Sequence, residues 1–281
     1  MGSASNSDRP AVTSERFCQQ DSDVIFRSCD DVLFHIHRKN LETNTGGFPP
    51  EEFDTKKEIV LLTETASTLE LLFQFIYPQR HPDLETTPFE VLDPLAEAAE
   101  KYEVYSAINI CKIRMRSFVK EQSLAVMLFA AKHGYYDIVS ETASLLLHVP
   151  IEEILLRLPP QLVIPWVLYV DSWNKVLRNA ITYSTKVIEG TRNWAPTTYY
   201  DRLGHHVSQA ATYCISCNFN LDIAFGRVLR HLDSIQSLEK LDVIFGHVDE
   251  VCCPHTLAVF GAWRLSIEED ISAIEPLVTV L

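Results

Sequence analysis

SDVIFRSCDDVLFHIHRKNLETNTGGF, residues 22–48, is the stretch of this chain that decides the fold. Two short runs rich in β-branched and aromatic residues begin at Val24 and Val32, and they flank the polar residues 28–31. Strand-forming runs separated by a short polar break are typical of a β-hairpin. In the second run, one face of the strand carries apolar residues and the other carries residues that include His35 and His37. Large side chains therefore occupy both faces. The stretch therefore predicts a small sheet at the front of the chain.

The chain after this hairpin reads as one more strand followed by helices. Residues 58–63 are nearly continuous in apolar side chains, which predicts a third strand covered on both faces. Ser67-x-x-Glu70 and Thr87-x-x-Glu90 have the spacing of capping boxes and predict two helix starts, and a third helix is expected from Ser106. The predicted fold class is α+β: a small sheet with a helical cluster, followed by an all-α extension.

The composition restricts the classes of partner. The chain has 24 basic and 38 acidic residues and a net charge of −14, and its densest basic group, Lys112, Arg114 and Arg116, is expected to form a solvated helix face. We therefore expect no binding to nucleic acid. The longest apolar run, 162–170, is too short for a membrane span, and residues 1–16 lack the apolar region of a signal peptide. Seven cysteines without targeting indicate a reducing compartment, so an intracellular location, cytoplasm or nucleus, is predicted.

Three segments follow one another in residues 20–118, which include the opening stretch. They are Asp23-Val-Ile-Phe with Phe34-His-Ile-His37-Arg38, Leu41, Thr45 and Phe48; then Ile59-Val-Leu-Leu with Leu69-x-x-Leu-Phe-x-Phe-Ile-Tyr77; and last Leu92-x-x-Leu-Ala-x-Ala-Ala-x-Lys-Tyr. In the order of these segments, residues 20–118 resemble a BTB/POZ domain.

This resemblance implies a non-enzymatic protein-interaction module. In the family, the residues at the positions of Asp23 and Arg38 lie in a charged pocket near the dimer surface; an ordinary ion pair is the alternative here. Many family members followed by helices dock a cullin, so the resemblance implies a substrate adaptor for a cullin-type ubiquitin ligase. A scaffold or oligomerisation protein with no ubiquitin role is the alternative. The family's N-terminal dimerising helix has no clear counterpart, because residues 1–19 are polar and predicted to be a disordered tail. Homodimerisation therefore stays open.

Residues 119–190 are predicted to continue as a helical extension, similar to the one that follows the BTB domain in many fungal proteins. Its last helix carries an aromatic and aliphatic stripe at helical spacing, which indicates helix packing: Trp166, Val170, Trp173, Leu177 and Ile181. Residues 191–281 are predicted to form a C-terminal helical region.

Two cysteine-containing segments have the spacing of metal ligands. Cys214-x2-Cys217 and Cys252-x2-His255 together supply three thiolates and one imidazole, a set that Zn²⁺ accepts in tetrahedral geometry. Such a zinc would be structural, and His205, His206 and Cys253 are alternative ligands. The competing interpretation is that Cys214 and Cys217 lie one helical turn apart and pack against neighbouring elements.

Enzyme signatures are absent from the sequence. The nine glycines form no Gly-x-Gly, and neither a Gly-x-Ser-x-Gly elbow nor a His-Glu-x-x-His motif occurs. His37 is interpreted as a satisfied histidine near the core, since no nucleophile accompanies it in the sequence. A metal-dependent enzyme rests on the Cys/His set alone, so the predicted class is not an enzyme.

Overall fold

The hairpin predicted from residues 22–48 is present in a computed structural model of the chain. The structure describes residues 12–48, 59–192, 199–200, 206–207, 221–249 and 254–277. The chain divides into two compact units, Met1–Ile138 and Val139–Leu281. The fold class is α+β, as predicted: a small mixed sheet accompanied by many helices.

The first unit contains a four-stranded sheet in the order β1-β3-β2-β4. The strands are β1 (Val12–Cys18), β2 (Val24–Arg27), β3 (Val32–Ile36) and β4 (Ile59–Leu61). β2 and β3 pair antiparallel, whereas β1 is parallel to β3 and β4 is parallel to β2. Asp31 adopts a φ of 67° in the hairpin turn, a left-handed conformation that aspartate tolerates better than most residues.

The prediction of a disordered tail over residues 1–19 is wrong for residues 12–18, which form β1. Phe17 is 3% exposed, and its ring lies 6.2 Å from that of Phe34 and 5.8 Å from that of Phe73. Ser14 donates a hydrogen bond to the Glu70 carboxylate at 2.8 Å. Phe17 and Ser14 therefore attach β1 to the rest of the first unit, although residues 12–18 are polar on average.

The expectation that the third strand is covered on both faces is also wrong. β4 lies at the edge of the sheet, with Ile59 47% and Leu61 71% exposed. A continuous apolar run does not distinguish a buried strand from a short edge strand, because the distinction depends on the neighbours.

Helices fill the rest of the first unit, and one of them places a phenylalanine against the sheet. They are α1 (Arg38–Asn44), α2 (Ala66–Gln74), α3 (Phe89–Lys101), α4 (Tyr105–Ser117) and α5 (Ser123–Lys132), and α6 (Tyr136–Leu145) begins at the end of the unit. Phe73 on α2 is fully buried and is contacted by an aromatic cluster: Phe17, Phe26, Phe34 and Phe48.

Both predicted capping boxes begin one turn or less away from the true helix caps. Thr65, not Ser67, is the N-cap of α2, and its hydroxyl accepts the N–H of Thr68 at 3.4 Å. α3 starts at Phe89, and its N-cap, Pro88, has no side-chain cap. Several hydroxyl residues precede each helix, so spacing alone did not select the one that caps it.

The second unit is helical. It contains α7 (Ile151–Leu155), α8 (Pro160–Arg192), α9 (Leu221–His231), α10 (Leu241–Asp249) and α11 (Pro254–Ser272). Two 3₁₀ turns, Leu146–His148 and Ile235–Lys240, and a short antiparallel pair, β5 (Tyr199–Tyr200) with β6 (His206–Val207), complete it. Trp263 is fully buried, packs against the Phe225 ring at 5.0 Å and donates its indole N–H to the Ala180 carbonyl at 3.0 Å.

The predicted stripe of α8 is correct at its start and wrong at its end. Trp166 is 1% exposed, but Ile181 is 44% exposed. The buried positions further along α8 are instead Tyr169, Val176, Ala180 and Ser184. Small residues at Ala180 and Ser184 mark the inward face there, and a search for large apolar side chains overlooks them.

Candidate interaction site

The residues that carry the BTB resemblance meet at the junction between β3 and α1. Asp23, just before β2, accepts the backbone N–H of Arg38 at 2.5 Å. Arg38 is the first residue of α1, and its N–H has no acceptor within the helix. Asp23 therefore acts as a helix cap supplied from a distant strand, because the N-cap residue itself, His37, makes no side-chain cap.

His37 lies between a hydroxyl and a carboxylate. Its Nδ1 is 2.9 Å from the Tyr77 hydroxyl, its backbone N–H donates to the same hydroxyl at 3.2 Å, and its Nε2 is 3.4 Å from an Asp21 carboxylate oxygen. This order of carboxylate, imidazole and hydroxyl resembles a catalytic relay. However, burial raises the pKa of Tyr77, which opposes formation of a phenolate nucleophile. The arrangement fastens the end of α2 to the β3–α1 turn. The sequence did not reveal this pairing because Tyr77 lies 40 residues from His37.

Leu41 and Phe48 anchor the segment that follows α1. Leu41 is 5% exposed, and the Phe48 ring stacks on Tyr102 at 4.5 Å with an interplanar angle of 7°. The N–H groups of Gly46 and Gly47 donate to the carbonyls of Glu103 and Tyr102 at 3.1 and 3.0 Å. Leu41 and Phe48 therefore support the fold and are not free to act as ligand-binding groups.

A partly buried polar network that sequence reasoning missed lies beside this stack. The Glu64 carboxylate accepts the Tyr102 hydroxyl at 2.6 Å and the Lys101 ammonium at 2.8 Å. Burial acts to raise the pKa of Glu64, but the hydrogen bonds from Lys101, Tyr102 and Thr63 outweigh it and lower that pKa. Burial and the bond to Glu64 raise the pKa of Tyr102 to about 12. The groups are nearly 40 residues apart in the chain, so no local sequence pattern predicts the network.

The basic trio on α4 is largely occupied by contacts within the first unit. Lys112 and Arg116 lie 3.9 and 3.3 Å from the Asp137 carboxylate, and the Arg114 guanidinium lies 4.7 Å above the Phe118 ring. Arg116 remains solvated, with its side chain 52% exposed, whereas Lys112 and Arg114 are partly buried. α4 also exposes two apolar side chains, Ile113 at 74% and Tyr105 at 52%.

The predicted zinc ligands Cys214, Cys217 and Cys252 lie outside the described residues, as do the alternatives His205 and Cys253. His255 belongs to α11 and His206 to β6, but the described positions do not extend to their side chains. Within the part of the chain that the structure describes, no group of three or more His, Cys, Asp or Glu side chains is placed to hold a metal ion. The Cys/His set therefore stays a prediction.

Two further findings concern membrane spans and relatives of the chain. Of the helices described, none combines the length and the apolar character that a membrane crossing requires. No family model matches the sequence, and no curated protein matches it either.

Proposed function

We propose that the chain is a BTB/POZ-type protein-interaction module rather than an enzyme. Support comes from the order of elements in the first unit, an antiparallel hairpin, a short helix, a strand parallel to β2 and then a run of helices. The residues that carry the resemblance fasten these elements together. Asp23 caps α1, His37 ties it to Tyr77, and Phe48 stacks on Tyr102.

The observation that carries this proposal is the apolar surface at the edge of the sheet. Ile59 and Leu61 point to one face of β4, and Ile25, the half-buried register partner of Ile59 on β2, lies on that same face. A strand edge with adjoining apolar side chains is a surface that proteins cover or use for association. A protein partner accounts for this surface more directly than a small substrate does.

The adaptor role is tested by direct binding to a cullin. The recombinant full-length chain is immobilised, and the N-terminal region of a cullin scaffold is passed over it at concentrations up to about 10 μM, where a dissociation constant of 1 μM corresponds to about −8 kcal/mol. Saturable binding is the expected result. Absence of binding at micromolar concentration would overturn the adaptor role and leave the scaffold alternative.

The exposed edge of β4 also favours a second candidate, a self-associating scaffold. Sedimentation equilibrium of the chain should then show a dimer or larger species, and Leu61→Lys should shift the distribution toward monomer because it places a charge on the strand edge. Leu156→Lys is the matched control, since Leu156 is 87% exposed in the second unit. A strict monomer at high concentration would contradict self-association.

A further inference from the structure

A pocket of about 290 Å³ lies in the second unit, between the end of α9 and the start of α10. It is lined by the last turn of α9, by the 3₁₀ turn Ile235–Lys240 and by the first turn of α10. Two hydrogen bonds hold the 3₁₀ turn in place. Ser237 donates its hydroxyl to the Ser234 carbonyl at 2.6 Å, and Gln236 donates its side-chain amide to the Leu147 carbonyl at 3.1 Å. The pocket therefore has a wall that is fixed by the fold.

The charges that line this pocket reverse the balance of the whole chain. Arg230, His231 and Lys240 line it together with a single acid, Asp233, whereas the chain has 24 Lys and Arg residues and 38 acids. Among the residues that the structure describes, none of the three basic side chains has a carboxylate oxygen within 4.0 Å. Asp233 accepts the Ser234 hydroxyl at 3.1 Å instead. The pocket thus has an excess of positive charge.

The acids next to Lys240 in the sequence are engaged by other side chains. Glu239 lies 3.5 Å from the imidazole of His148, and the Asp242 carboxylate is paired with the Arg264 guanidinium. Neither acid therefore balances the Lys240 ammonium.

Helix stability accounts for only part of this basic group. Arg230 and His231 lie in the last turn of α9, where the helix dipole favours cations. Lys240 directly precedes the first residue of α10, and the start of a helix favours negative charge. The Arg230 Nε donates to the Gly226 carbonyl at 3.2 Å, which orients the guanidinium and leaves its two terminal nitrogens as donors. An anion in the pocket would give all three basic side chains a common partner.

We propose that this pocket binds the phosphate group of a small phosphate monoester. A guanidinium donates two parallel hydrogen bonds to two phosphate oxygens, and a lysine ammonium contacts a third oxygen as a point charge. A carboxylate has only two oxygens in one plane, so one arginine already satisfies it. Basic groups that come from two elements, as Arg230 and Lys240 do, suit a tetrahedral anion better.

The size of the pocket indicates that the ligand is more than a free phosphate ion. A volume of about 290 Å³ is at the lower end of the range for small-ligand sites and leaves room for an organic group beside the phosphate. Val243 lines the same pocket with its side chain 64% exposed, so it offers an apolar contact to that group. A small phosphorylated metabolite and a phosphorylated side chain of another protein both carry this chemistry.

Isothermal titration calorimetry of the whole chain tests the site at about 0.15 M NaCl, an ionic strength that screens attraction to distant surface charges. The probes are glycerol 3-phosphate, N-acetyl-phosphoserine amide, inorganic phosphate and acetate. At least one ester should bind with a dissociation constant below about 1 mM and about tenfold more tightly than acetate. Tighter binding of glycerol 3-phosphate supports a metabolite as the ligand, and tighter binding of the phosphoserine derivative supports a phosphorylated protein side chain.

Arg230→Gln and Lys240→Gln should each weaken binding of the ester about tenfold, because each removes a charge-assisted donor. Arg227→Gln is the matched control, since Arg227 is exposed on α9, lies outside the pocket and loses the same charge. All three positions are exposed, so thermal unfolding should be nearly the same in the three variants.

Three results would overturn the proposal. They are no binding of either ester at concentrations up to about 5 mM, acetate binding as tight as that of the esters, and an equal loss of affinity in Arg227→Gln and Arg230→Gln. The site does not depend on the interaction function proposed above, so its failure leaves that function untouched.

Discussion

Single side chains hold the first unit together across long sequence separations. Asp23 caps a helix that begins fifteen residues later. Glu64 accepts hydrogen bonds from Lys101 and Tyr102, which come after α2 in the chain. The donors to Glu64 compensate for the hydration that its largely buried carboxylate loses. The contribution of Glu64 to stability therefore depends on pH.

We predict that Glu64→Gln lowers the free energy of unfolding by about 1–2 kcal/mol at pH 7, because hydrogen bonds to a charged, mostly buried group contribute more than neutral ones. The pKa of Glu64 is lower in the folded state than the ordinary value of 4.5. The stabilisation is therefore complete above pH 4.5 and is lost as the pH falls through the lower, folded-state pKa.

Urea denaturation of both proteins between pH 3 and 7 measures this difference. Glu42→Gln, at an exposed position, should show almost no difference at any pH. A loss in Glu64→Gln that stays constant over the whole range would contradict an origin in the charge of the carboxylate.

Gly47 and Gly46 are adjacent but differ in what a methyl group would meet. A Cβ on Gly47 would lie 2.7–2.8 Å from backbone atoms of Lys101 and Tyr102, whereas a Cβ on Gly46 would meet first the flexible end of the Glu103 side chain. We expect Gly47→Ala to destabilise the chain by about 1–3 kcal/mol, as overpacking does in a well-packed region, and Gly46→Ala to have a much smaller effect. Thermal unfolding of the two variants compares them directly, and equal losses would show that the backbone contact is not what limits position 47.

At the scale of elements, helices with several apolar turns agree with their sequence pattern and short or edge elements do not. In residues 138–146, five residues at helical spacing are all buried: Ile138, Val139, Thr142, Ala143 and Leu146. Gly134 has a φ of +74°, as expected of the residue that ends α5. By contrast, α1 was not predicted, because Leu41 is its single buried residue and its cap comes from Asp23.

The cap of α2 provides an element-scale prediction. Thr65→Ala should lower the free energy of unfolding by about 1 kcal/mol, because it removes the hydroxyl that accepts the N–H of Thr68 at the start of the helix. Ser67→Ala changes a hydroxyl inside the same helix and should have a smaller effect. Chemical denaturation distinguishes the two. A larger effect at Ser67 would restore the capping box that the sequence suggested.

At the scale of the whole molecule, the charge bears on the class of partner. The net charge of −14 disfavours contact with a phosphate backbone, and the cations of α4 are engaged by Asp137 and Phe118. Each unit has its own aromatic core, around Phe73 in the first and around Trp263 in the second. The chain therefore presents two separately packed bodies with apolar residues at their surfaces.

The zinc prediction also belongs to this scale, because its four ligands span residues 214–255. We expect the purified chain to retain about one zinc ion after dialysis, as measured by elemental analysis, since three thiolates and an imidazole complete a structural site. Cys217→Ser should lose the metal, and Cys18→Ser, at an exposed cysteine of β1, should keep it. A wild-type chain without zinc would exclude both the structural site and a metal-dependent enzyme.

The sequence by itself determined the α+β class, the hairpin and the long helices, because strand and helix periodicity are local properties of neighbouring residues. The tertiary structure alone decided that residues 12–18 form a strand, that β4 is an edge, and that Asp23, His37 and Phe48 fasten elements together. These outcomes depend on contacts between residues tens of positions apart. No local pattern predicts which distant residue will pack against a buried ring or accept the hydrogen bond of an unpaired N–H.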